Sequence, residues 1–338
     1  MGYSSQAGVT VFREQTGGKG VPAADLSTAG VAAYLTSGAM KGNRELKISD
    51  PEIGAGRDIT KGLLGAASFG GEYEFNLRFE MIASFLKGAL GEADSVTATG
   101  ITTHTFTPSD ESALPFYTIY ERVSSGLDRF QYTDCVVNTF HLEADADGFL
   151  TGTVGIIGAR QLAGVPDVDA SALYDNTSPT VGTNVHVLYD NVDVKAKSFS
   201  FDINNNFEDD DFRLGSFFLE DLTPKRREVN ATMTLRETNN QKMRQALLGA
   251  STATEAGGIT TEKELEIQIA SYENIAGGTP TTVHSLTITI PTVIFEPTGW
   301  DVSGDDIIET EYSMTAVRGD NAVPILTAVL KNGNEEIA

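Results

Sequence analysis

Tyr73, Phe75, Leu77 and Phe79 alternate with Glu72, Glu74, Asn76 and Arg78. A period of two predicts a strand with one buried face. Met81, Ile82, Phe85, Leu86, Ala89 and Leu90 then recur at helical spacing, and Gly91 supplies the stop, so a short amphipathic helix follows. The same sentence is written again later in the chain. Val229, Ala231, Met233 and Leu235 share one strand face, Met243, Leu247 and Leu248 form the apolar side of a more polar helix, and Gly249 ends it. Matching Leu90-Gly91 to Leu248-Gly249 sets an offset of 158, which also pairs Leu77 with Leu235, Arg78 with Arg236, Phe75 with Met233 and Phe85 with Met243. A second segment repeats at that spacing: 134–137 falls on 292–295, Leu142 on Trp300, Asp147 on Asp305, Val154 on Tyr312, Ile156 on Met314 and Arg160 on Arg318. Two separated segments with one offset indicate an internal repeat.

Further strands are predicted over 114–123, 130–145 and 149–157, the last two joined by the turn Asp145-Ala-Asp-Gly148. Their counterparts are 265–270, 285–295 and 307–317, with a turn over 302–306. The fold class that follows is mainly β with a minor helical part: two tandem copies of one domain, each a mostly antiparallel sheet with one flanking helix. The first forty residues are Gly/Ala/Ser/Thr-rich and weakly patterned, an extended arm expected to order only against something else. Residues 41–160 form the first copy and 185–330 the second. Between them, 161–184 is rich in Pro, Asp, Ser, Thr and Asn and is expected to be a linker, and 331–338 a polar tail.

Each copy contains one long connection that is not hairpin-like, over 50–70 and 204–225. Connections of more than about 12–15 residues without regular structure tend to be functional. The first is glycine-rich and carries Ile53, Arg57, Ile59, Leu63, Leu64 and Phe69. The second runs from an acidic cluster that includes Asp209 and Asp210 into Phe212, Leu214, Phe217 and Phe218. Exposed loops with this much apolar surface point to a partner, so these residues are the candidate contacts between subunits.

Net charge changes the picture of that partner. At −23, the chain is a poor candidate for gripping nucleic acid through phosphates, but suits a surface that DNA slides past. No apolar run approaches the ~20 residues of a membrane span, and the first thirty residues lack the pattern of a secretory signal, so a soluble, cytoplasmically made protein is expected. One cysteine, Cys135, and four scattered histidines argue against disulfide and zinc frameworks. The run Asp145-Ala-Asp-Gly-Phe149 opens like a calcium loop, yet its twelfth position is Ile156 rather than a glutamate. The acidic cluster at 208–211 reads as a solvated or subunit-facing charge group. Cys135 reads as a small core residue, and His104, in Thr103-His-Thr-Phe-Thr107, as a sheet-surface residue. Nothing assembles a nucleophile, a base and an orienting group, so neither an enzyme nor a cofactor is expected.

These residues bear a resemblance. The strand–helix unit ending in Phe85-Leu-Lys-Gly-Ala-Leu-Gly91 and the segments His104-Thr-Phe-Thr-Pro108, Leu114-Pro-Phe-Tyr-Thr-Ile119 and Tyr132-Thr-Asp-Cys-Val-Val-Asn138 together resemble the major tail tube proteins of siphophages, most clearly over 41–160. The resemblance implies a β-sandwich or half-barrel with one flanking helix in each copy. It implies that neighbouring subunits join their sheets into rings that stack into a hollow tube. A chain with two fused copies would form trimeric, pseudo-hexameric rings, assembled in the host cytoplasm and found in the virion tail. Implied partners are other copies, a tape measure protein in the lumen, and tail terminator and distal tail or baseplate proteins at the ends, with DNA passing unbound. The inner tube of a contractile tail, or another tail or connector component, shares the pattern. An extracellular carbohydrate-binding β-module would need exposed aromatic residues along a groove, and the chain has one tryptophan, Trp300.

Overall fold

The computed structural model describes residues 8–50, 53–54, 57–59, 61–110, 114–124, 128–258, 260–278, 280–300, 307–319, 323–335 and 337. The chain opens with β1 (Val9–Glu14), a one-turn helix α1 (Leu26–Ala29), β2 (Val31–Ala32), β3 (Leu35–Gly38), β4 (Lys41–Ile48) and β5 (Gly62–Asn76). Helix α2 (Ile82–Leu90) is followed by β6 (Gly91–Ala98), β7 (Ile101–Pro108), β8 (Tyr117–Arg122), β9 (Arg129–Asp145) and β10 (Thr151–Ala163). Then come β11 (Val185–Tyr189), β12 (Val192–Asp193), β13 (Ser198–Asn204), β14 (Glu228–Arg236), α3 (Gln241–Leu248), β15 (Lys263–Asn274), β16 (Val283–Phe295), β17 (Glu309–Ala316) and β18 (Thr327–Asn332). The protein is mainly β, and the described strands pair antiparallel into one continuous hydrogen-bonded sheet. The turn expected over 302–306 lies outside the described residues.

Strand order repeats along that sheet. β3-β5-β10-β9-β8-β1 in the first part has its counterpart in β13-β14-β17-β16-β15-β11 in the second. Val137 faces Ile156 and Cys135 faces Gly158; advanced by the sequence offset, Phe295 faces Met314 and Val293 faces Ala316. Two joints fuse the parts, one where β13 pairs with β9 and one where β18 pairs with β7. A single core runs through both, from Phe75, Phe85 and Phe140 across Phe201 to Met314 and Ile288.

Helix α2 lies at the centre of the first part, with almost every side chain buried, because β1, β6, β7 and β9 surround it. Gly88 is required there: a Cβ would stand 2.6 Å from a Val137 methyl carbon. Gly91, at φ 99°, ends the helix in a conformation that L side chains rarely adopt. Helix α3 buries only Gln245 and Ala246, in line with its more polar sequence.

Several segments differ from their sequence patterns. The connection expected over 50–70 is in part strand: 62–70 belongs to β5 and pairs antiparallel with β4, because Leu63, Leu64 and Phe69 continue the strand that begins the core unit. The N-terminal arm orders against its own chain: β1 pairs with β8 over six residues, Val11 and Phe12 enter the cores, and Asp134 accepts the Gly20 N–H at 2.6 Å. The pattern is weak because this strand is short and shares its segment with loops. The linker is pinned as well, since Asp175 and Thr180 are buried and Tyr174 bridges to Ala32. His104 is buried rather than on the sheet surface, because β18 covers β7; its ring bonds Ser95 at 2.7 Å and Asn332 at 3.0 Å, and burial lowers its pKa.

Beneath the start of β4 sits Glu121, 3% exposed, with burial pushing its carboxyl up to about 7. The Met40 N–H and the Tyr132 phenol lower it only in part. An acid whose folded pKa exceeds its unfolded value contributes its stability at low pH and loses it as pH rises towards the folded pKa. Stability should therefore fall by roughly 2–3 kcal/mol between pH 4.5 and 7 on this account. Urea denaturation at pH 5 and pH 8 checks it, with Glu121→Gln expected to give the flatter profile.

Candidate assembly surface

The alternation that buries one side of each strand leaves the other side polar. Across β5, β10, β9, β13, β14 and β17, one row of registered neighbours reads Glu74, Thr153, His141, Asp202, Asn230 and Thr315. The next reads Asn76, Thr151, Glu143, Ser200, Thr232 and Ser313, and a third continues with Asp145, Ser198, Thr234 and Glu311. The intervening rows, such as Phe75, Gly152, Leu142, Phe201 and Ala231, point to the core. The result is a hydroxyl-rich, acidic face that crosses the β9–β13 joint without interruption.

Within that face, His141 Nδ1 lies 2.6 Å from Asp202 Oδ1, and Nε2 lies 3.5 Å from Glu143. The hydrogen bond to Asp202 raises the histidine pKa. Lys197, at one rim, reaches Glu309 at 2.7 Å, and Arg236 stands opposite Glu309 in the ladder. The remaining carboxylates, among them Glu72, Glu74, Asp145 and Glu311, keep the surface negative.

The two long connections meet at a different place. Ala67 of β5 donates its N–H to the Phe217 carbonyl at 2.8 Å and bridges to Phe218, whose ring lies under the Arg160 guanidinium at 5.8 Å. Leu64, Phe69, Phe217 and Phe218, with Gly42, Arg44 and Gln161, line a groove of about 650 Å³. Four candidate residues thus share one surface. Phe69 is buried against Tyr132 and floors the groove, whereas Leu64 and Phe217 are more than half exposed. Ile53, Arg57, Ile59 and Leu63 stand exposed on the hairpin arm formed by β4, β5 and the connection between them.

The second connection divides in two. Phe207, Leu219 and Leu222 fold down on Val136 and Ala159, forming a satellite core. Its root is fixed by Asn205, which donates to the carbonyls of Ala89 at 3.0 Å and Val137 at 3.1 Å. Phe212 and Leu214 remain exposed. Asp210 is solvated, and Asp209 lines a groove beside Lys41, Glu72 and Glu74 on the polar face. Leu46 and Ile48 on β4 are exposed apolar residues that the sequence reading passed over, although they alternate with Glu45 and Lys47.

Among the described residues no group of three His, Cys, Asp or Glu side chains is placed to hold a metal ion. Burial raises the Cys135 thiol well above its ordinary pKa, away from reactivity. The family described as phage tail tube protein matches residues 4–316 of the chain. The chain belongs to the phage tail tube protein family. Its members are structural proteins of the virion tail rather than enzymes, and a tail tube protein assembles with itself and with other tail components. No curated protein matches the chain.

Proposed function

We propose that this chain builds the tube of a long, non-contractile phage tail as rings of three chains, through which DNA leaves during ejection. In this reading each chain supplies two copies of one domain, over 41–160 and 185–330, so that a ring holds six. The recurring strand order and the shared hairpin register support the duplication. The observation that carries the reading is the acidic, hydroxyl-rich face spanning both copies. Turned towards the lumen, it repels phosphates and gives DNA no cationic hold.

The candidate contacts take two roles. Ile53, Arg57, Ile59, Leu63 and Leu64 on the first arm, and Asp209, Asp210, Phe212, Leu214, Phe217 and Phe218 on the second, meet neighbouring chains and stacked rings, while Phe69 supports them from below. The tape measure protein occupies the lumen during assembly in the host cytoplasm, and terminator and distal tail proteins close the ends. Negative-stain microscopy tests the reading: purified protein at raised concentration should show rings or hollow tubes, and a monomer under every condition would overturn it.

A further inference from the structure

A buried acid holds the root of the exposed β4–β5 arm. β3 and β4 run along β5 in one register, with Gly38 facing Tyr73 and Lys41 facing Gly70, but the ladder lapses between them at Ala39 and Met40. Gly38, at φ 118°, lies so close to β5 that a Cβ would stand 2.2 Å from the Glu72 carbonyl oxygen. Released from the ladder, the Met40 N–H donates to Glu121 Oε1 at 3.3 Å. The Tyr132 hydroxyl donates to the Met40 carbonyl at 3.5 Å and accepts from Gln161 Nε2 at 2.9 Å. Met40 is thus the residue at which the arm leaves the body of the sheet, and both of its backbone polar groups end in this cluster.

Glu121, on β8, has no counter-charge. Facing it are the Tyr73 hydroxyl from β5, the Tyr132 hydroxyl from β9 with the Cys135 thiol beside it, Thr10 across the ladder on β1, and the Met40 N–H. Among the described residues none of these is a cation. A neutral amide would offer Met40 the same acceptor, so what the carboxyl adds is the ability to ionise. Ionised, it lacks the partner that a buried charge needs, and its readiest relief is water. The body resists that entry, because β8 pairs with both β1 and β9. The arm does not: it is a two-stranded ribbon, marginal in water, on which Leu46, Ile48, Leu63 and Leu64 are each more than half exposed.

We propose that Glu121 is a proton-operated latch on the β4–β5 arm: with its proton it holds Met40 in the core and fixes the direction of the arm, and without it the root opens and the arm swings. This device lies within one chain and is independent of the ring reading. Burial pushes the Glu121 carboxyl up to about 7, so the latch works between mildly acid and mildly alkaline solution. An acid raised by burial favours the closed form below that value and the open form as pH rises through it. The apolar residues of the arm are then presented in one direction at pH 5.5 and in many at pH 8.5.

Spin-label distances in the dilute full chain test this. One label at Lys47→Cys on the arm and one at Glu143→Cys on β9 should give a narrow distance distribution at pH 5.5 that is lost by pH 8.5, with a midpoint near 7. A pair within the body, Glu143→Cys with Tyr272→Cys, should keep its distribution across the same range. Adding Glu121→Gln should leave the arm distance narrow at both pH values. An arm distance that stays narrow at pH 8.5 in the parent would overturn the latch, and that result needs no change at Glu121. Equal broadening of the body pair, or a Glu121→Gln chain that broadens as the parent does, would overturn it too.

Discussion

Phe201→Ala is expected to cost about 3–5 kcal/mol of folding stability, the range for emptying a fully buried phenylalanine site. Phe201 is 0% exposed on β13, where it faces Leu142 of β9 on one side and Ala231 of β14 on the other. Its ring fills the core at the point where the two parts of the sheet meet. The strands on both sides hold their backbones in a hydrogen-bonded ladder, so the cavity cannot collapse without breaking pairs. Urea denaturation of the isolated chain measures the effect. Val192→Ala, at an exposed position, is the control and should change stability by less than about 0.5 kcal/mol. A loss below about 1 kcal/mol for Phe201→Ala would mean that the joint is not a true continuation of the core.

Asp175→Ala should be nearly as damaging, at about 3 kcal/mol. This residue is 3% exposed and accepts four hydrogen bonds: from the N–H groups of Glu80 and Met81 at 2.9 Å each, from the Thr177 N–H at 2.8 Å and from the Thr177 hydroxyl at 2.6 Å. Two of those donors lie just before α2, so the carboxylate fixes the entry to a fully buried helix. Alanine leaves the buried donors without acceptors, which costs more than the bonds themselves contributed. Asp175→Asn, which keeps one acceptor oxygen but brings in two donors, should fall between. Thermal unfolding of the three proteins gives the order, and an alanine variant as stable as the parent would refute the capping role.

Much of this architecture is legible in the sequence, because alternation reports directly which strand faces are buried. The core rows of β5 and β14 follow from period, and the hairpin of β9 with β10 from its turn residues, though not the register shift between Gly155 and Ile156. What local pattern cannot report is pairing across distance. Val11 and Phe12 look unremarkable in an arm rich in small residues, yet beside β8 Phe12 packs on the Phe85 and Tyr73 rings and Val11 joins Leu26, Ala32 and Tyr120 in a second core. Asp175 sits in a segment with the composition of a linker, and its role exists only because α2 begins beside it. His104 fits either face of a strand until β18 arrives from the far end of the chain.

The assembly surfaces divide in the same way. Apolar residues in the two long connections are visible as misfits, but their convergence through Ala67 and Phe217 requires the fold. The polar face is the reverse case. Each of its serines, threonines and glutamates is an ordinary solvent-side residue of an amphipathic strand. Only the β9–β13 joint turns two such surfaces into one, and the proposed lumen lining rests on this continuity.

The central claim is that three chains turn this one acidic face inward. A cryo-electron microscopy reconstruction of the assembled tube measures both parts at once. The account predicts three chains per ring, with Glu74, Glu143, Asp202 and Glu311 on strands that line the lumen. Six chains per ring, or a lumen lined by the opposite side of the sheet, would contradict it.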